Sequence, residues 1–267
     1  MDQIALVALD LDGTVLDSRG EVPGRVRDAI RAAGEAGIEV VAATGRPPSV
    51  AARVLEQAGF VRWAICSNGS VTIDLRAGRI HRADWIDETV LRRELPIIRE
   101  HHPELRFALE LEASVLHERD FHRLVGEPPE DSEVDDLLAV DWPERVHKAL
   151  VFAGVDDGPA IREKVEGLLD DLLEVTVSGL PFVELAPRGI SKASALEALG
   201  RDLGLGAHHM LAMGDNENDH SMLRWARIGV AMANSTPGTL GVSDRVVASN
   251  DEHGVAHILE ELIDNRR

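Results

Sequence analysis

Hydrophobic positions follow two rhythms along this 267-residue chain. Up to about residue 70, short unbroken apolar runs alternate with stretches whose apolar residues recur every three or four positions. Ile4–Leu9, "IEVVAAT" (38–44) and "WAICS" (63–67) are unbroken, the pattern of strands covered on both faces. Pro23 opens a helix whose buried stripe is Val26, Ala29, Ile30 and Ala33 and which runs up to Gly37. Pro47 and Pro48 begin a second helix that ends at Gly59. "VTIDLRAGRIHRA" is expected to be a hairpin turning at Ala77-Gly78. From about Asp84 acidic helices alternate with the strand candidates "RFALELE", "HKALVFAG", "LEVTVSG" and "PFVELAP", and "GEPPEDSEVDD" (126–136) is expected to be a polar loop. After Pro187 the first rhythm returns. Ser191 caps a helix through Leu203, and "HMLAM" (209–213), "IGVAMA" (228–233) and "DRVVAS" (244–249) are short strands with helices between them, followed by the helix "GVAHILEELIDN".

No internal repeat is visible. The outer segments share a βα alternation, and about 100 residues of another texture separate them. The expected fold is therefore α/β. A doubly wound, mostly parallel, Rossmann-like sheet is built from residues 1–83 and 185–267, and an α+β domain over 84–184 is inserted into it.

Composition sharpens this outline. Aromatic residues make up only 3 % of the chain, so Leu, Val, Ala and Ile must fill the interior. The single cysteine, Cys66, excludes an internal disulfide and sits in an apolar run, as a buried inert thiol does. Ile4–Leu9 is too short for a secretory signal core and ends in two acids. No run approaches the roughly 20 apolar residues of a membrane span. A cytoplasmic location is expected. The net charge is −19, unevenly placed: residues 84–184 hold 26 Asp and Glu against 10 Lys and Arg, a local net charge of −16. That balance argues against nucleic acid and anionic membrane as partners and leaves oligomeric state unread.

Ligands of open α/β sheets bind beyond the carboxyl ends of the strands. Four clusters stand there: Asp10, Asp12, Gly13 and Thr14; Thr44, Gly45 and Arg46; Ser67, Asn68 and Gly69; Gly214, Asp215, Asn218 and Asp219. In extended chain, positions i and i+2 point the same way, so Asp10 and Asp12 can face one site, with Gly13 turning the backbone sharply. Asp10–Asp12 taken alone is also explained by a turn with helix-capping acids. If Asp215 joins them from a neighbouring strand, three carboxylates around one point need a cation, and oxygen-only ligands favour Mg²⁺ before Ca²⁺. An aspartate beside Mg²⁺ can act as a nucleophile. The Thr44 hydroxyl and the amides of the following helix suit a phosphate. Lys192 stands in the first turn of a helix, against the dipole preference of lysine.

Together, "DLDGTVLD", "ATGRP", "RGISKASAL" and "GDNENDHSML", with "SNGS" after the third strand, resemble the haloacid dehalogenase-like superfamily, most closely its Cof-type phosphatases with a large α/β cap. The resemblance spans nearly the whole chain. It departs at Ala193, where many relatives have glycine after the lysine. It implies that residues 1–83 and 185–267 are the core and 84–184 the cap. It also implies a phosphoaspartate on Asp10, and Asp12 as the acid that protonates the leaving oxygen and then activates water. The implied Mg²⁺ ligands are the Asp10 carboxylate, the Asp12 backbone carbonyl and the Asp215 carboxylate. Thr44, Gly45 and Lys192 would hold the transferring phosphoryl oxygens, Asn68 would serve the substrate, Asn218 would serve the substrate or a metal-bound water, and Asp219 would orient Lys192 or a metal ligand. The implied activity is hydrolysis of small phosphorylated metabolites such as sugar phosphates. A phosphomutase of the same superfamily and a non-catalytic phosphometabolite-binding protein are the alternatives. An intact Asp10–Asp12 pair weighs against the last, since a binder has no need of the second acid.

Overall fold

A computed structural model describes residues 4–112, 114–125, 133–154 and 158–266. The first segment forms β1 (Leu6–Leu9), α1 (Gly24–Glu35), β2 (Glu39–Ala43), α2 (Pro48–Ala58), β3 (Trp63–Cys66), β4 (Val71–Asp74) and β5 (Arg79–Ala83). The middle forms α3 (Glu88–His101), β6 (Arg106–Leu111), β7 (Val115–Glu118), α4 (His122–Val125), β8 (Glu133–Val134), β9 (Val146–Phe152), α5 (Gly158–Val165), β10 (Leu173–Thr176) and β11 (Phe182–Pro187). The last segment forms α6 (Lys192–Leu203), β12 (Met210–Gly214), α7 (His220–Trp225), β13 (Ile228–Met232), α8 (Pro237–Val242), β14 (Arg245–Val247) and α9 (Gly254–Asp264).

The outer segments build one eight-stranded sheet in the order β14-β13-β12-β1-β2-β3-β4-β5. The strands from β14 to β3 are parallel, and β4 runs antiparallel to β3. Alternate residues of β1 serve opposite faces. Val7 and Leu9 join α1, α2 and α9 in one core, whereas Leu6 and Ala8 join α6 and α7 in another. That is the double winding expected from unbroken apolar runs. From β1 the chain winds outward through β2 to β3, and from β12 it winds the other way to β14. The switch between the two directions lies between β1 and β12, where ligand crevices of such sheets open. Local chemistry fixes the helices that flank it. Pro48 opens α2 and Gly59, at φ +82°, closes it. Ser191 and Ser194 cap α6 reciprocally, and Gly204 ends it at φ +70°.

The inserted unit has its own sheet, in the order β10-β11-β9-β6-β7-β8. Its larger core joins Leu91, Leu95 and Ile98 of α3 and Ile161 of α5 to Phe107, Val151 and Val183 of the strands. A smaller cluster of Ala108, Leu150, Phe152 and Phe182 with Phe121 occupies the sheet's other side. The strands β7 and β8 were not foreseen. Residues 126–132 of the expected polar loop lie outside the described residues, and β8 takes two of the remainder. The compact units are 1–82 with 191–267, and 83–190. The second changeover differs from the expected 184/185, because β11 continues to Pro187 while paired with β10. Among the described residues, no helix is long and apolar enough to cross a membrane.

Candidate active site

The chain after β1 begins with Asp10, whose N–H donates to the Met213 carbonyl of β12 at 3.0 Å. It then folds into a tight turn over Leu11–Val15 with Gly13 at φ +77°. A Cβ on Gly13 would stand 2.4 Å from Asp215 Oδ2, so only glycine admits that carboxylate. The Thr14 hydroxyl donates to Asp215 Oδ1 at 3.2 Å. Two asparagines tie this turn down. Asn234 Nδ2 donates to the Gly13 carbonyl and Asn250 Nδ2 to the Leu16 carbonyl, both at 2.8 Å, and the Asn250 N–H donates to Asn234 Oδ1 at 3.0 Å.

Beyond β2, Thr44 is buried, and its hydroxyl accepts from the Arg46 N–H at 3.1 Å. Beyond β3, Ser67, Asn68 and Gly69 have φ of +48°, +55° and +111°. Three left-handed residues in succession, two bearing side chains, are costly and persist only where the surroundings hold them. The surroundings here are tight: a Cβ on Gly69 would lie 2.3 Å from the Ser191 carbonyl oxygen. This approach joins the turn after β3 to the start of α6. Asn218 Nδ2 donates to Asn68 Oδ1 at 3.0 Å.

The start of α6 carries Lys192, which is fully buried. Its ammonium donates to Asp10 Oδ1 at 2.5 Å and to Asp219 Oδ1 at 2.6 Å. The other Asp219 oxygen accepts from the N–H groups of Asp215 and Asn216 at 2.9 and 3.0 Å. Gly214 makes room for it, since a Cβ there would lie 2.4 Å from Asp219 Cγ. Burial alone would push the Lys192 pKa down, but Asp10 and Asp219 outweigh it and hold the ammonium charged. Burial, then the charge of Asp219, raises Asp10 well above the ordinary carboxylate range against the pull of Lys192. Burial and Asp219 likewise push Asp215 up to about 7.

Those two raised values mark a site with more negative charge than Lys192 balances. One oxygen from each of Asp10, Asp215 and Asp219 lies within 4.8 Å of the others. An oxygen-only set at this spacing, with a glycine cradle at Gly13, fits a hard divalent cation. Asp219 has both oxygens engaged by protein donors, so Asp10 and Asp215 are the carboxylates better placed to hold an ion.

The structure thus brings Asp10, Lys192, Asp215 and Asp219 together and links Thr44 with Asn68 and Asn68 with Asn218. Gly45 follows Thr44 and is half-buried. The Asp12 carboxylate does not join the three acids. Arg46 holds it, from Nε at 2.8 Å and Nη2 at 2.6 Å. Arg46 stood in the quoted "ATGRP" without a role, and Thr14 likewise stood beside Gly13. Asn234 and Asn250 gave no sequence signal beyond their place after strands β13 and β14.

The chain matches the family described as haloacid dehalogenase-like hydrolase over residues 7–259. It is 30 % identical to phosphatase YwpJ of Bacillus subtilis, with 97 % of this chain and 99 % of that one covered. It is 28 % identical to the 5-amino-6-(5-phospho-D-ribitylamino)uracil phosphatase YcsE of the same organism, covering 97 % and 96 %. Among solved structures, a haloacid dehalogenase-like hydrolase from B. subtilis superposes with a TM-score of 0.82 at 28 % identity, covering 97 % of this chain and all of that one. The chain belongs to the haloacid dehalogenase-like hydrolases.

Proposed function

We propose that this chain, a phosphatase, is a Mg²⁺-dependent phosphomonoesterase of the cytoplasm that passes the phosphoryl group through Asp10. Its proposed substrates are small phosphorylated metabolites, sugar phosphates and phosphorylated polyols foremost. YcsE, a relative whose substrate carries a phosphoribityl group, supports that class. The observation that carries the reading is Lys192 buried between Asp10 and Asp219, with Asp215 crowded against them. A merely structural ion pair has no need of the third acid.

Lys192 holds one oxygen of Asp10 and leaves the other to attack phosphorus. As the new O–P bond forms, the bond to the leaving oxygen breaks and Asp12 gives that oxygen a proton. Asp12 then takes a proton from water, which attacks the phosphoaspartate, frees inorganic phosphate and restores Asp10. Thr44, Gly45 and Lys192 hold the equatorial phosphoryl oxygens, and Asn68 and Asn218 contact the substrate. Asp10, Asp215 and the Asp12 carbonyl are assigned as Mg²⁺ ligands, and the ion supplies positive charge against the phosphoryl group. Asp219 orients Lys192. The inserted unit is assigned as the cap that chooses among substrates.

The test is a phosphate-release screen over phosphorylated sugars, polyols, nucleotides and cofactors with Mg²⁺. Saturable release from a subset, lost with a chelator and in Asp10→Asn, is the expected result. Phosphoryl transfer to a second sugar without free phosphate would replace hydrolysis by a mutase, and binding without turnover would remove the enzymatic reading.

A further inference from the structure

Arg46 is absent from the roles just given. The loop after β2 offers its phosphoryl contacts through Thr44 and Gly45, while the Arg46 side chain turns to Asp12. Nε donates to Oδ2 at 2.8 Å and Nη2 donates to Oδ1 at 2.6 Å, so a planar fork meets a planar carboxylate. The stem of the fork is anchored on both sides. The Arg46 N–H donates to Thr44 Oγ1 at 3.1 Å, and its carbonyl accepts from the Ser67 N–H at 3.0 Å. Arg46 therefore links three strand ends: Asp12 after β1, its own loop after β2, and Ser67 after β3.

The Asp12 side chain is 54 % exposed and that of Arg46 30 %. Ion pairs this open to water add little to stability. What two parallel bonds do supply is direction, because they fix the plane of the carboxylate and the face it turns. A group that must give a proton to a leaving oxygen and take one from water depends on direction.

We propose that Arg46 is the positioning residue of Asp12, its two-point grip setting the carboxylate in the orientation from which it exchanges protons with the leaving group and with water. When a substrate arrives as its monoanion, one of the two bonds gives up its oxygen, which takes the proton the substrate carries and passes it to the leaving oxygen, while the other bond keeps the carboxylate in plane. The inference rests on the acid–base role proposed for Asp12.

The test uses Arg46→Lys, which keeps the charge without the fork, Arg46→Met, which removes both, and Asp12→Asn. Single-turnover formation of the phosphoenzyme is followed by rapid quench. One substrate is 4-nitrophenyl phosphate, whose leaving group departs without a proton. The other is the best alkyl phosphate from the release screen, whose leaving group needs one. Both Arg46 variants should slow the alkyl ester by about 10- to 100-fold, with KM nearly unchanged. They should slow the aryl ester by less than about threefold, and lower Tm by no more than about 4 °C. Asp12→Asn combined with Arg46→Met should be no slower than Asp12→Asn alone. Equal slowing of both esters, a rise in KM alone, full activity in Arg46→Lys, or additive losses would each overturn the proposal. If Asp12→Asn itself fails to distinguish the two esters, the acid–base reading of Asp12 falls. If it distinguishes them and the Arg46 variants do not, only the positioning role falls.

Discussion

Two lysines in this chain are buried between pairs of carboxylates, one in each compact unit. Lys192 meets Asp10 and Asp219 at 2.5 and 2.6 Å, and Lys148 of the inserted unit meets Glu110 and Glu184 at 2.9 and 2.6 Å. In both, burial by itself would lower the lysine pKa, and the carboxylates outweigh it. The settings differ. Glu110, Lys148 and Glu184 lie within three neighbouring strands, with Glu110 directly opposite Lys148 in the ladder. Asp10 and Asp219 lie on turns beyond strand ends, and glycines 13 and 214 clear space for Asp215 and Asp219. The strand triad sets one cation between two anions of its own sheet. The turn cluster takes in a further acid, Asp215, whose pKa is pushed to about 7. The comparison teaches that a buried ion pair is not in itself a sign of chemistry. The sign is a charge in excess of its partners, held by turns whose backbone is committed to holding it.

The largest effect separating the two clusters should come from Asp10→Asn. Turnover should fall by at least about a thousandfold, because an amide cannot form the acyl phosphate. Tm in Mg²⁺-free buffer should not fall, since one of three crowded acids becomes neutral. A variant that keeps more than a small fraction of wild-type kcat would remove Asp10 as nucleophile.

Next in size is Lys148→Met. It leaves two buried glutamates without their cation, and breaking a buried pair this way costs about 3–5 kcal/mol. Urea unfolding should show that loss. Adding Glu110→Leu and Glu184→Leu should recover most of it, because a well-packed apolar replacement restores balance. A single variant as stable as the parent would mean that Lys148 does not balance the two glutamates.

Asp215→Asn should weaken Mg²⁺ binding by about 10- to 100-fold, the range seen when even an outer partner of a metal ligand is lost. Calorimetric titration reads it directly, and an unchanged affinity would move the ligand role to Asp219. The smallest effect concerns His147, beside Lys148 at an irregularity in the ladder between β6 and β9. Burial lowers its pKa. A folded-state pKa below the unfolded one gives stability that is full above about pH 6.5 and fades as pH falls through it. His147→Gln should flatten the fall in unfolding free energy, read from urea titrations, between pH 7.5 and 5.5 by about 1 kcal/mol or less. An unaltered slope would show that the imidazole does not contribute.

Much of the core was legible because its signals are local. Unbroken apolar runs marked β1, β2 and β3, and the residues just past each strand end included Asp10, Thr44, Asn68 and Asp215. Lys192 was legible as a lysine at the wrong end of a helix. What stayed hidden depends on neighbours distant in sequence. The grip of Arg46 on Asp12 spans 34 positions, and the clasp of Asn234 on Gly13 spans 221. The insert was harder to read for a related reason. Glu110, Lys148 and Glu184 look like the solvent side of alternating strands, and only the strand order β11-β9-β6 sets the cation between the two anions. The changeover after residue 184 was misplaced because "PFVELAP" gives no hint that its last residues pair with β10.

The pairing of β1 with β12, Leu6 opposite Met210, carries a consequence for how the molecule comes into being. Synthesis at about 5–20 residues per second puts roughly 10–40 s between the emergence of these two partners. For that interval Asp10 has no Lys192, and one edge of the central strand has no neighbour. Closing so long a loop as a flexible chain would cost about 5 kcal/mol in entropy, growing only slowly with length. An insert that already has its own core shortens the flexible part and lowers that cost. Until residues beyond 190 arrive the sheet is unfinished, and the open edge of β1 is available for mispairing. The cluster of Asp10, Lys192, Asp215 and Asp219 is therefore assembled in one late step of biosynthesis, and a chain interrupted before α6 holds its first aspartates without the lysine and acids they meet in the folded molecule.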